Sequence, residues 1–138
     1  MTDAETAALV KGFLHDIGYK AEMMDDDSVG SAASGLNFYI QCYEDNVQFR
    51  CLLSSPDESY DWYRFANTFN EDLRFVKIYF TENEGLVVEA DWWLDLNEAN
   101  HIERFQRAMG FWELSLAAFK ERFRQYKPPE PPQIDEAK

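Results

Sequence analysis

The stretch LNFYIQCYEDNVQFRCLL, Leu36 to Leu53, decides the fold. Apolar and polar residues alternate along it with period two, and Glu44-Asp45 interrupts the pattern midway. Leu36, Phe38, Ile40 and Cys42 point one way, where Val47, Phe49, Cys51 and Leu53 can meet them across a turn. Asn37, Tyr39, Gln41 and Tyr43 share the opposite side with Gln48 and Arg50. Such alternation marks an antiparallel hairpin with one face on a core and the other free.

A second hairpin follows in KIYFTENEGLVVEADWWL. Gly85 suits the left-handed position that closes a three-residue loop with a bulge. Opposing Glu82 with Leu86 pairs Phe80 with Val88, Ile78 with Ala90 and Val76 with Trp92. The other face then pairs Tyr79 with Glu89, Lys77 with Asp91 and Phe75 with Trp93. A slip of one residue would set apolar side chains against charged ones, so this register is preferred. It sends Trp92 and Leu94 inward with Ala90, and Asp91, Trp93 and Asp95 outward.

Three helices flank the hairpins. Thr2 and Glu5 have capping-box spacing, Leu9, Phe13, Leu14 and Ile17 share a face, and Gly18 is placed to stop the helix. Ser55, Pro56 and Glu58 open a second helix with Trp62, Phe65, Ala66 and Phe69 as its apolar stripe, ending near Asn70. Ile102, Phe105, Met109, Trp112, Leu116, Phe119 and Phe123 form the stripe of a long last helix. Gly110 within it marks a place where a neighbour approaches closely. A short strand is allowed around Ala21 to Met24, before the acidic, small-residue loop DDDSVGSAASG.

The expected fold is therefore α+β, a single antiparallel sheet of two hairpins with helices packed on one face. The order is α-(β)-β-β-α-β-β-α, with one domain over residues 1–126. KPPEPPQIDEAK, residues 127–138, reads as an extended, disordered, proline-rich tail.

Composition narrows the function classes. The 138 residues carry a net charge of −13, which repels nucleic-acid backbones and anionic membranes. An acidic DNA mimic would need a basic partner, and solubility is the simpler role for the charge. MTDAETAALV is acidic where a signal peptide would be basic, so a cytoplasmic location is expected. Cys42 and Cys51 lie in strand-like runs, as buried free thiols do.

No site chemistry stands out. Counting a calcium loop from Asp25 puts Val29 at position five and Leu36 at position twelve, so the match fails. His15 and His101 read as surface residues, and no metal or cofactor is expected. Glu89 and Asp91 share a strand face, but Lys77 opposite Asp91 makes an ion pair the simpler role. The glycines are scattered and build no phosphate loop. The outer sheet face carries more information. Tyr39, Tyr43, Arg50, Phe75, Tyr79 and Trp93 would share it, with Arg50 opposite Tyr39 and able to stack on it. These six are the expected partner-binding residues, and the protein is expected not to be an enzyme. A small-molecule or catalytic domain using Glu89, Asp91 and Tyr79 is the alternative.

With its elements in place the chain resembles the YbjN family, bacterial proteins described as sensory transduction regulators. The likeness runs from Leu9 to Phe123. NTFN, Asn67 to Asn70, is similar to the family's N-x-x-N, and the second hairpin matches with Gly85 at the turn and Asp91 near its end. Trp112 and Phe119 resemble its W-x6-F segment, and Gly35, Asn37 and Phe38 its G-x-N-F. Where the family has paired glycines before its last helix, this chain has Asp95-Leu96-Asn97. The resemblance implies a type III secretion chaperone-like fold and a small adaptor that dimerises or holds a partner segment. It carries over no catalytic residue.

Overall fold

The computed structural model describes residues 2–54, 57, 59–94 and 98–126. The order is α1 (Asp3–Asp16), β1 (Glu22–Asp25), β2 (Ser28–Ala33), β3 (Leu36–Cys42), β4 (Asn46–Leu53), α2 (Trp62–Asp72), β5 (Lys77–Thr81), β6 (Gly85–Trp93) and α3 (His101–Gln125). All six strands form one sheet of antiparallel neighbours, ordered β1-β2-β3-β4-β6-β5. Because β4 and β5 both run against β6, they are parallel to each other. α2 joins them, and β6 fills the gap as in a split β-α-β unit.

The α+β class and the single-sided helical layer agree with the sequence, but two hairpins understate the sheet. β2 was expected to be a loop. It pairs with β3 over six positions, from Ser28 opposite Gln41 to Ala33 opposite Leu36. Val29, Ser31 and Ala33 face the core beneath α1, while Gly30 and Ala32 face outward. Small residues on both sides leave little contrast between apolar and polar positions, although they let a helix pack closely.

Local chemistry sets the helix ends. The Glu5 N–H donates to Thr2 Oγ1 at 3.1 Å, and the Thr2 hydroxyl donates to the Glu5 carboxylate. The Tyr19 N–H reaches back to the Leu14 carbonyl past Gly18, which has φ +91°. Leu9, expected on the buried face, is exposed, and Ala7 and Val10 are buried instead. α2 starts later than expected because Asp61 is its N-cap, accepting from the Arg64 N–H. Ser55, Pro56 and Glu58 lie outside the described residues, as do Asp95-Leu96-Asn97 and the tail. Just before the helix, Ser59 donates twice to the Asp57 carboxylate and Trp62 Nε1 donates to the Asp57 carbonyl.

The core lies between sheet and helices. Trp112 of α3 packs on Phe38 and Phe49, with ring centroids 5.7 and 5.4 Å away. Trp62 stacks on Phe123 at 5.2 Å and Phe65 meets Phe119, which ties α2 to α3. The stripe of α3 differs at its start. Ile102 is exposed, whereas the half-buried His101 ring packs on Phe13 and Ala108 and Ser115 are buried. Gly110 has open space around it, so the expected close neighbour is absent among the described residues.

The β5–β6 register differs by two residues from the sequence reading. Thr81 opposes Gly85, and Lys77 opposes Glu89 rather than Asp91. A shift of two keeps every side chain on its face, so alternation alone could not choose between the registers. The loop keeps three residues but moves back by one, to 82–84, and the Glu84 N–H donates to Thr81 Oγ1 at 2.9 Å within it.

β5 is an edge strand, and α2 closes it. Asn70 Nδ2 donates to the Ile78 carbonyl and Asn70 Oδ1 accepts from the Ile78 N–H, both at 2.8 Å. One side-chain amide thus takes the place of a neighbouring strand. Asn70→Ala should cost about 1–2 kcal/mol. Its denaturation midpoint should fall, with amide exchange at Ile78 accelerating more than at Val88.

Candidate functional site

Strand alternation brings the site together. Tyr39 on β3, Gln48, Arg50 and Leu52 on β4, Glu89, Asp91 and Trp93 on β6, and Lys77 and Tyr79 on β5 all leave the side opposite the helices. Cross-strand pairing aligns Tyr39 with Arg50, Arg50 with Glu89, and Glu89 with Lys77. A row of polar side chains therefore crosses the strands. Val87 lies under this layer, fully buried between its cross-strand partners Leu52 and Tyr79.

Arg50 is the hub. Its guanidinium donates to Tyr39 Oη at 2.7 Å, to Tyr79 Oη at 3.2 Å and to Glu84 Oε2 at 2.9 Å. The expected contact with Tyr39 is thus made mainly through the hydroxyl, with the ring centroid 5.8 Å away near the limit of a cation–π contact. Arg50 Nε lies 3.3 Å from Glu89 Oε2 without hydrogen-bond alignment. Tyr79 Oη donates to Glu89 Oε2 at 2.8 Å, and Lys77 Nζ pairs with Glu89 Oε1 at 2.9 Å. The expected Lys77–Asp91 pair is replaced by Lys77–Glu89, and Asp91 instead accepts from Gln48 Nε2 at 3.1 Å.

Glu89 is only 6% exposed, and its ionisation follows from its neighbours. Burial favours its neutral form. Hydrogen bonds from Lys77 and Tyr79, with the charges of Lys77 and Arg50, outweigh burial and hold Glu89 below the usual carboxylate range. Lys77 is raised by its hydrogen bond to Glu89 and by that carboxylate's charge. Burial and the hydrogen bond to Glu89 push the Tyr79 hydroxyl up. Glu89 is therefore a committed anion with both oxygens engaged, a poor general acid and an occupied base.

The six expected binding residues separate. Tyr39, Arg50 and Tyr79 belong to this network. Trp93, 67% exposed, and Tyr43, 43% exposed, lie at one end of the outer face, on either side of Asn46 along the hydrogen-bonding direction. Phe75 does not join them. It precedes β5 and packs its half-buried ring on Trp92 and on Phe111 of α3, at 6.0 and 5.5 Å, so the outward alternation was extended past the strand's true start. Trp92 does turn inward, but it is half-buried and not fully enclosed.

Sequence reasoning missed a groove of about 460 Å³ over β1–β4. Gly30 and Ala32 form its low floor, with Met24, Tyr39, Arg50 and Leu52 among its walls. Met24 Sδ would lie only 3.1 Å from a Cβ on Gly30. The adjacent methionines beside an unrecognised strand were the available signal. Both cysteine thiols are buried, which pushes Cys42 up to about 12 and Cys51 up to about 11. Among the described residues no group of three His, Cys, Asp or Glu side chains could hold a metal, and no helix is long and apolar enough to cross a membrane.

Among curated proteins, no sequence match is found. Among solved structures, the one described as "Crystal structure of YbjN, a putative transcription regulator from E. coli" matches with a TM-score of 0.62 at 12% identity. The match covers 88% of this chain and 95% of that one, and at this identity it speaks for the fold alone. The sequence pattern of the YbjN family, "Putative bacterial sensory transduction regulator", matches residues 6–125. That span reaches from α1 to the end of α3 and takes in the whole sheet, so the chain belongs to the YbjN family.

Proposed function

We propose that this chain is a non-enzymatic regulatory module of the cytoplasm that binds a protein partner, or a second copy of itself, through the outer sheet face. The observation that carries this reading is Trp93, an aromatic side chain 67% exposed on the side opposite the helices. Tyr43 stands near it, and the Arg50 network provides a hydrogen-bonded, charge-balanced surface alongside. Large aromatics on a preorganised polar face are suited to anchoring a partner. The family's description as a regulator accords with this role. A chaperone-like adaptor would hold its partner segment on the same face.

The alternative is a small-molecule-binding or catalytic domain using Glu89, Asp91 and Tyr79; its catalytic form is disfavoured because three neighbours hold Glu89 ionised. A photo-crosslinking amino acid at Trp93, compared with one at exposed Leu114 of α3, tests the binding reading in extracts of the source cells. Discrete adducts or dimers are expected from position 93. Adducts confined to position 114 would move the interface to the helical side and sink the proposal.

A further inference from the structure

We infer that the free edge of β1, together with the groove beside it, takes an extended lysine- or arginine-rich segment of another protein as a seventh strand. This rests on the protein-binding reading and names the partner's chemistry. The two sheet edges are unlike. The edge groups of β5 at Ile78 are taken by the Asn70 amide, whereas every residue of β1 is exposed, including Met23 and Met24. An edge strand offers backbone N–H and C=O groups that an extended segment can pair with, and adjoining pockets select its side chains.

Two hollows meet at β1, and both include Met24. One is the groove with its floor of Gly30 and Ala32, where flexible methionine can adapt to an apolar side chain. The other, about 820 Å³, is lined by Asp3, Asp25, Asp26, Asp27 and Glu44. An alternating strand would place apolar residues in the first and cations against the second.

Charge excludes the nearer occupants. Two copies of β1 paired antiparallel about Met23-Met24 would set Glu22 against Asp25 twice, and like charges directly opposite destabilise a sheet. The chain's own C-terminal segment carries Glu130, Asp135 and Glu136. Its Pro128, Pro129, Pro131 and Pro132 have no N–H to donate. A basic segment turns the same acidic edge into an attraction.

The test uses the full chain, isotope-labelled for NMR, and short capped peptides. A peptide of alternating lysine and valine should bind and slow amide exchange in β1. The same peptide N-methylated at every residue keeps its charge but loses its donors on both edges, and should bind at least about tenfold more weakly. A glutamate–valine peptide should not bind. The double variant Glu22→Lys, Asp26→Lys should reverse the preference between the two charges. Equal affinity for the N-methylated peptide would reduce the interaction to bulk charge attraction and overturn the proposal. So would no binding, or perturbation centred on Trp93 or β5 instead of β1. Those outcomes leave the broader reading to the crosslinker at position 93.

Discussion

Gly85→Ala should destabilise the protein by about 3 kcal/mol or more, with a fall in Tm of roughly 10 °C. Gly85 has φ +83°, a left-handed conformation costly for alanine. A Cβ there would also lie 2.2 Å from the Leu53 carbonyl oxygen and 3.2 Å from Ser54 Cα. Both are backbone atoms, so no side chain can swing aside to relieve the clash. The same exchange at Gly110 should have the opposite sign. That glycine sits inside α3 with nothing near it, and alanine should stabilise by about 1 kcal/mol. Thermal melts of the two variants check both signs. A Gly85→Ala protein that melts with the wild type would refute the loop geometry and the Thr81–Gly85 register.

Glu89→Ala is the second large effect, a loss of about 3 kcal/mol at neutral pH. It strips Lys77 and Tyr79 of their shared acceptor and leaves Arg50 with Glu84 as its remaining carboxylate partner. The pH dependence follows from the depressed ionisation of Glu89 in the fold. Below the unfolded value, near pH ~4.3, the unfolded state takes up the proton first. The stabilisation is thus fully present above that value and is lost as pH falls through the lower folded one. Urea denaturation at a series of pH values should show a constant gap between wild type and Glu89→Ala from neutral pH to about pH 5. The gap should shrink at more acidic pH. A gap unchanged in strong acid would mean that packing, not the ionised carboxylate, accounts for the loss.

The first hairpin was legible because its two-residue turn leaves one register, and Tyr39 opposite Arg50 follows directly. The outward direction of Trp93, in the second hairpin, was legible for a different reason: alternation along β6 survives any even shift of register. The second hairpin was legible only in its faces, because Gly85 suits either a loop or the ladder and both choices preserve alternation. That ambiguity exchanged Asp91 for Glu89 as the partner of Lys77 and concealed the carboxylate at the centre of the network. Arg50 was identified, but not its bonds to Tyr79 and Glu84, because these bring together strands whose order the sequence does not state. Phe75 was misplaced by continuing a period-two pattern beyond the strand. β2 was hidden by its small side chains, and the groove went with it, since a floor of Gly30 and Ala32 matters only once β1 and β3 flank it.

The strand order also bears on how the chain reaches this structure. β1 to β4 form a meander in which each strand meets the next one in sequence, across short turns. The second neighbour of β4 is β6, which arrives only after α2 and β5 have been traversed. Pairing Val47 with Trp92 and Phe49 with Ala90 therefore closes the longest loop in the sheet. Loop closure of this kind is repaid late, when many contacts form together, and non-local pairing slows folding. The seam between β4 and β6 is thus expected to be the slow step of folding, where two pieces built from more local pairings dock. Gly85 stands at one end of that seam and Trp93 at the other.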